Sequence, residues 1–230
     1  IFEDLAWLGL EWEQPVRKQS EHFDDYRTAL ETLSSLGVLY PCFCMRKEIQ
    51  DEIARAGQAP HGPDGPLYPG ICRGRSADEQ RERIAGGQPY ALRLDVAKAA
   101  ALVERDIFRE DLARGMQKAD PGVFGDVVLA RKETPTSYHL AVVVDDALQG
   151  ITLVTRGEDL FEATHLHTLL QELLGLPAPQ WRHHRLITDE NGKRLAKRDD
   201  AKSLRALREQ GWTAEAVREA LGFAKGTAQR

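Results

Sequence analysis

Three thiols stand close together in the first third of the chain. Cys42 and Cys44 flank Phe43, and Cys72 closes a Gly/Pro-rich stretch in which Tyr68 precedes it by four positions. Zinc takes about four ligands in a tetrahedron, and three thiolates supply most of such a set. On spacing alone the fourth ligand is open among Tyr68, His61, Asp64 and water. Three reduced, partly buried thiols are the plainer outcome, because the paired C-x-x-C of common zinc modules is absent. Gly62, Gly65 and Gly70 give the intervening loop the freedom to wrap tightly around an ion.

A second cluster lies near the C-terminus. Gly192-Lys193-Arg194-Leu195-Ala196-Lys197-Arg198 is a glycine followed by a dense cationic run. Such a loop can close over a triphosphate and neutralise charge on departing pyrophosphate. A plain solvated surface loop has the same composition. Between the two clusters, Tyr138 opens the apolar segment to Asp146, and Arg156 follows the β-like run Ile151–Thr155. An arginine at the C-terminal end of a strand suits bidentate capture of a carboxylate at a ligand-binding sheet edge. Pairing of Arg156 with Glu158 or Asp159, and burial of Tyr138 in the core, are the structural counterparts.

These residues need elements to hold them. Phe2, Leu5 and Leu8 have helical spacing up to Gly9. Ser20 is a candidate N-cap for a helix with Phe23, Tyr26, Leu30 and Leu33 on one face, closed by Gly37. Val38–Phe43 reads as a strand, Arg46–Ala56 as a helix and 58–74 as a loop. Ser76 and Glu79 form a capping-box pattern for a helix ending at Gly86, and Tyr90–Val96 alternates as a half-buried strand. Val127–Arg131 and Ile151–Thr155 read as further strands. Tyr138–Ala147 has ambiguous periodicity. Leu160–Leu174 predicts an amphipathic helix, and short helices are expected near Ser203–Gln210 and Thr213–Leu221. Strands separated by helices predict an α/β fold with a mainly parallel sheet.

Composition narrows the class. The chain has 230 residues, of which 42% are hydrophobic and 29% charged, as in soluble globular proteins. A net charge of −5 argues against indiscriminate nucleic-acid binding, although Trp181–Arg208 carries nine basic and four acidic residues. The densest apolar run, Leu140–Val144, falls far short of the roughly 20 residues of a membrane span. An odd number of cysteines and no secretory signal point to a reducing cytoplasmic setting. An opening Ile1 followed at once by a helical pattern predicts further residues upstream.

Together these segments resemble one family. Tyr138–Asp146 and Ile151–Leu160 are similar to the second half of the glutamyl-tRNA synthetase catalytic domain. Arg194-Leu195-Ala196-Lys197-Arg198 resembles a degenerate KMSKR loop of class I aminoacyl-tRNA synthetases. The likeness runs from Ile1 to about Leu207, and the order and spacing of Tyr138, Arg156 and Lys197 carry it. Only residues 198–230 follow Lys197, whereas ordinary members carry long anticodon-binding domains there. Cys-x-Cys followed by Tyr-x-x-x-Cys resembles the zinc site of the short paralogues, the glutamyl-Q tRNA(Asp) synthetases.

The resemblance implies a Rossmann-like catalytic domain with a structural Zn2+ held by Cys42, Cys44, Tyr68 and Cys72. The segments would be 1–37, the remainder of the first Rossmann half; 38–125, the zinc-bearing insertion; 126–190, the second half; and 191–230, the KMSKR-like loop with short C-terminal helices. Tyr138 and Arg156 would bind glutamate. Lys197, with Arg194, Leu195, Ala196 and Arg198, would bind ATP, which enters with Mg2+, and Lys197 would act in catalysis. A monomer would pass the glutamyl group to queuosine at the wobble position of tRNA(Asp). The HIGH-type motif and the first strand and helix of the Rossmann half are expected before Ile1. Arg194 replaces the first lysine of KMSKR, and Ala196 its serine. Two other outcomes stand beside this one: the catalytic domain of an ordinary glutamyl-tRNA synthetase, and a non-catalytic zinc-stabilised RNA-binding module.

Overall fold

In the computed structural model the described residues are 1–55, 61–63, 65–188, 195 and 203–223. They fall into two compact units: Lys18–Arg185, and Ile1–Arg17 with Leu186–Arg230.

In the larger unit, helix α2 (Phe23–Ser35) buries Tyr26, Ala29, Leu30 and Leu33 along one face. Gly37 follows at φ 69°, a left-handed conformation that a side chain would strain. Ser20 is not the N-cap; Gln19–Glu21 forms a separate 3-10 turn and His22 takes the cap position. A tertiary contact overrides the local signal here. Gln19 donates to Asp145 at 2.9 Å, and the Tyr26 hydroxyl donates to the same carboxylate at 2.9 Å.

Strand β1 (Leu39–Cys42) leads into helix α3 (Arg46–Arg55) and a two-residue hairpin, β2 (His61–Gly62) and β3 (Gly65–Pro66). Helix α4 (Ala77–Ala85) begins at Ser76, whose hydroxyl accepts the Glu79 amide at 3.2 Å. The capping box is half formed, because the Glu79 carboxylate turns to Arg75 and Arg83. Strand β4 (Ala91–Leu94) is followed at once by helix α5 (Val96–Val103), capped by Asp95. The chain then makes β5 (Phe108–Asp111), β6 (Gly115–Lys118) and β7 (Val127–Ala130). Tyr138–Leu148 is helix α6, with Leu140, Ala141, Val143, Val144 and Asp145 buried at helical spacing. Strand β8 (Leu153–Gly157), helix α7 (Ala163–Leu174) and strand β9 (Gln180–His184) complete the unit, and Gly175 ends α7 at φ 62°.

The expected parallel sheet is present, with a limit. In the four-stranded sheet β6-β5-β9-β8, strands β5, β9 and β8 run parallel and β6 is an antiparallel edge. Strands β1, β4 and β7 instead form a wholly antiparallel sheet. Helices α2, α5, α6 and α7 supply most of the large buried core, with Leu166, Leu169, Leu170, Leu33 and Leu140 fully enclosed.

In the smaller unit, helices α1 (Phe2–Trp7), α8 (Leu204–Glu209) and α9 (Ala214–Ala220) are tied by arginines. Arg208 pairs with Asp4 at 2.8 Å and Glu3 at 3.2 Å and lies over the Trp7 ring, and Arg218 donates to the Leu8 carbonyl. Among the described residues no helix is long and apolar enough to cross a membrane.

Candidate functional site

The parallel strands end side by side, and three residues at or next to their ends form the candidate site. Arg156 on β8 is the register partner of His183 on β9, and β9 lies beside β5, which ends at Asp111. Asp111, His183 and Arg156 therefore form a row across the carboxyl ends of three parallel strands, the edge at which such sheets bind ligands. The alternation in β5 is inverted from the usual pattern: Arg109 and Asp111 point inward while Phe108 and Glu110 face out.

Arg156 is held by neutral groups. Its Nε donates to His183 Nε2 at 3.1 Å, one terminal nitrogen to His167 Nδ1 at 3.2 Å and the other to Thr164 Oγ1. It forms no ion pair with any carboxylate among the described residues, and Glu158 pairs instead with Arg114 at 3.5 Å. Burial lowers the pKa of the guanidinium, while Tyr138, which hydrogen-bonds it, and the charges of Asp146 and Asp159 act in the opposite sense. Tyr138 opens α6 and is 42% exposed, so it is not a core residue. Its ring packs edge-on against His139 and His167 at 5.4 and 5.7 Å between centroids. A desolvated, planar cation with no direct ion-pair partner among the described residues, beside an exposed phenol, is a carboxylate receptor in form.

A second cation lies deeper. Arg109 is 2% exposed, donates to the Phe161 carbonyl at 3.0 Å and stacks on the Phe161 ring. Burial brings its pKa down to about 10.

His167 and His183 are poised as neutral rings. Burial lowers the pKa of both below 6.5; Arg156 lowers each further, while Asp111 only partly offsets this at His183. Depressed histidine values mean that the unfolded chain takes up protons first as pH falls. Stability is therefore complete above about pH 6.5 and is lost as the pH drops below it. Thermal melts taken from about pH 8 down to about pH 5 should show this decline. His167→Leu should flatten it; an equally steep decline in that variant would exclude His167 as its source.

The thiol cluster is assembled as well. The three Sγ atoms of Cys42, Cys44 and Cys72 lie within 4.8 Å of one another, with Cys44 and Cys72 at 3.4 Å. The Tyr68 hydroxyl sits among them, 3.4 Å from Cys42 and 3.5 Å from Cys44. The Cys72 amide donates to that hydroxyl at 2.9 Å, which fixes its oxygen among the sulfurs. Burial pushes the Cys44 thiol up to about 12. Burial would raise Cys72 too, but hydrogen bonds from Arg75 and the Phe43 amide bring it down to about 7. Arg93 covers the Tyr68 ring at 3.8 Å, and Lys132 reaches the Cys44 carbonyl at 3.3 Å. Three sulfurs and an oxygen at these separations are a donor set that fits tetrahedral zinc. His61, a candidate fourth ligand by spacing, is exposed on the hairpin, and Asp64 lies outside the described residues.

Asp126 ties this knuckle to the antiparallel sheet. It accepts hydrogen bonds from the Tyr40 hydroxyl at 2.5 Å, from Arg73 at 2.7 Å and from the Val96 amide at 3.3 Å. A cavity of about 350 Å³ opens between the knuckle and the start of α6, with Tyr68, Arg93, Arg131, Ser137, Tyr138 and His139 in its wall.

The structure thus brings Tyr138 and Arg156 together and Cys42, Cys44, Tyr68 and Cys72 together. Of the basic loop, Leu195 is described, its amide donating to the Ile187 carbonyl at 3.0 Å. Arg194, Ala196, Lys197 and Arg198 lie outside the described residues. Asp111, His167, Thr164 and His183 were not singled out by sequence. The alternation of Gln180–His184, with Trp181 and His183 inward, was the available signal.

The family model for the catalytic domain of class I tRNA synthetases (E and Q) matches residues 1–228. A glutamyl-Q tRNA(Asp) synthetase of Rhodobacter capsulatus is 47% identical, over 97% of this chain and 81% of its own length. Another, of Symbiobacterium thermophilum, is 40% identical over 97% of this chain and 69% of its own. Among solved structures, a glutamate tRNA ligase of Elizabethkingia meningosepticum, in complex with its amino acid, superposes with a TM-score of 0.67 at 27% identity. The match covers 87% of this chain and 41% of that ligase.

Proposed function

The chain belongs to the class I tRNA synthetase (E and Q) catalytic-domain family, in its glutamyl-Q tRNA(Asp) synthetase branch, and from that membership we propose that it serves the activation of glutamate and its transfer to queuosine of tRNA(Asp). The glutamate carboxylate attacks the α-phosphorus of ATP, pyrophosphate leaves, and glutamyl-adenylate forms. A hydroxyl of the modified nucleoside then attacks the adenylate carbonyl and AMP leaves.

Arg156 holds a substrate carboxylate and Tyr138 borders the same space. The observation that carries this assignment is a buried guanidinium with no ion-pair partner among the described residues, held by His183, His167 and Thr164 and bordered by Tyr138. Lys197, with Arg194, Leu195, Ala196 and Arg198 beside it, neutralises phosphate charge as pyrophosphate departs, with Mg2+ accompanying ATP. Zn2+ is held by Cys42, Cys44, Cys72 and Tyr68 and closes the knuckle without entering the reaction. Residues 38–125 form the zinc-bearing insertion, 1–37 and 126–190 the flanking Rossmann parts, and 191–230 the loop with the terminal helices. The protein acts as a monomer in the cytoplasm.

Glutamate-dependent exchange between ATP and pyrophosphate, measured with and without tRNA, tests the activation step. Exchange is expected, and none under either condition overturns the enzyme assignment. Labelled glutamate should then pass to tRNA(Asp) bearing queuosine and not to tRNA(Asp) lacking it. Transfer to tRNA(Glu) instead would identify an ordinary glutamyl-tRNA synthetase, the reading favoured by the likeness to the solved ligase.

A further inference from the structure

Arginine only donates hydrogen bonds, and that fact fixes the protons of the rings around Arg156. His183 Nε2 receives Arg156 Nε at 3.1 Å, so that nitrogen carries a lone pair. The proton of the neutral ring is then on Nδ1, which faces Asp111 Oδ2 at 2.5 Å. Asp111 is fixed in turn: its Oδ1 accepts the backbone amides of Ala113 at 2.9 Å and Arg114 at 3.1 Å. Both side chains of the pair are 1% exposed, so water does not compete. A parallel relay runs through α7. His167 Nδ1 accepts from Arg156, which places its proton on Nε2, 3.2 Å from His139 Nδ1.

We propose that Asp111 and His183 are positioning residues for substrate recognition: the carboxylate fixes the His183 tautomer, and the bare Nε2 so created aims the Arg156 fork at the glutamate carboxylate. The pair touches no substrate itself. It acts from below, on the neighbouring strands, as a rigid socket for a cation that has no ion-pair partner among the described residues until glutamate arrives. This rests on the assignment of Arg156 to glutamate binding.

Asp111→Asn separates positioning from mere support. The two backbone amides hold the Asn oxygen where Oδ1 now lies, so its NH2 faces His183. The ring must then accept at Nδ1 and carry its proton on Nε2, which meets the Arg156 Nε–H donor to donor. Nearly isosteric packing is kept while the fork is turned away, as in the tautomer inversion known for catalytic Asp–His pairs. Histidine 15N spectra of the full natural protein should show Nδ1–H at His183, and Nε2–H in Asp111→Asn. In pyrophosphate exchange the KM for glutamate should rise about tenfold or more, with the KM for ATP unchanged. His183→Gln, whose amide oxygen can accept from Arg156 while its NH2 donates to Asp111, should stay close to wild type; His183→Leu should not.

A purely structural role would lower the active fraction, and so kcat, without moving the KM for glutamate. An Nε2–H tautomer in the wild-type protein overturns the proposal, as does an unchanged glutamate KM in an Asp111→Asn protein with inverted tautomer. Arg156→Ala with unchanged glutamate KM would instead overturn the assignment of Arg156, while leaving the measured tautomer as it is.

Discussion

Replacing Arg156 with alanine should raise the KM for glutamate roughly a hundredfold or more, with the KM for ATP nearly unchanged, because a desolvated charged anchor contributes about 3 kcal/mol. The size follows from the surroundings of the side chain. Its hydrogen bonds go to the neutral groups of His183, His167 and Thr164, and it forms no ion pair with any carboxylate of the described residues. In water a free guanidinium must give up its shell before it can bind; here burial has already removed that shell. Arg156→Lys should recover little, since a point charge cannot serve His183, His167, Thr164 and a substrate at once. The same reasoning predicts little effect on folding. Removing a buried cation that has no ion-pair partner among the described residues relieves desolvation, and water entering the vacated space can serve both ring nitrogens. A melting temperature lowered in step with activity would show that Arg156 is a structural residue.

Changing Cys72 to serine should abolish stoichiometric metal binding and lower the melting temperature by about 10 °C, from a loss of about 4 kcal/mol. Cys72 is fully buried, its sulfur lies 3.4 Å from Cys44, and its amide holds the Tyr68 oxygen in the cluster. The loss should stay below the on-the-order-of 10 kcal/mol of an isolated zinc module, because Tyr40, Phe43 and Tyr68 keep packing around the vacant position. A strong chelator acting on the wild-type protein should give the same shift. One equivalent of metal retained in the variant would remove Cys72 from the ligand set, and a chelator without effect would remove metal from the account of stability.

Local signals singled out Arg156, the three thiols and most of the helices, for reasons visible in particular residues. Gly37 and Gly175 stop helices because the backbone there turns left-handed. The close spacing of Cys42, Cys44 and Cys72 pointed to a candidate metal site, but spacing left the fourth ligand open, and Tyr68 entered through the family resemblance. What escaped was the strand pair β5 and β9. Its inward positions are Arg109, Asp111, Trp181 and His183, so the rule that polar residues face water runs backwards there. The same strands carry the socket of Arg156, and a site paid for in buried polar groups hides from hydrophobic patterning. Ser20 misled for a related reason: a contact 126 positions away, from Gln19 to Asp145, decided where α2 begins. The mainly parallel expectation came from treating every helix between strands as a crossover. β1, β4 and β7 are joined through helices and loops yet pair antiparallel.

That antiparallel sheet has a consequence for recombination. Residues 127–130 are the third strand of a sheet whose other two strands are 39–42 and 91–94, and Arg93 reaches the Asp126 carbonyl at 2.9 Å. The stretch that carries the thiol cluster is therefore not a cassette with a clean seam at 125. A chimera that takes 38–125 from one relative and the remainder from another would mate strands of foreign sequence at the β4–β7 register, where the ladder already shifts between Leu92 and Arg93. Crossover points placed after Ala130 keep the sheet within one parent, and libraries built on this scaffold should retain fold far more often with that junction.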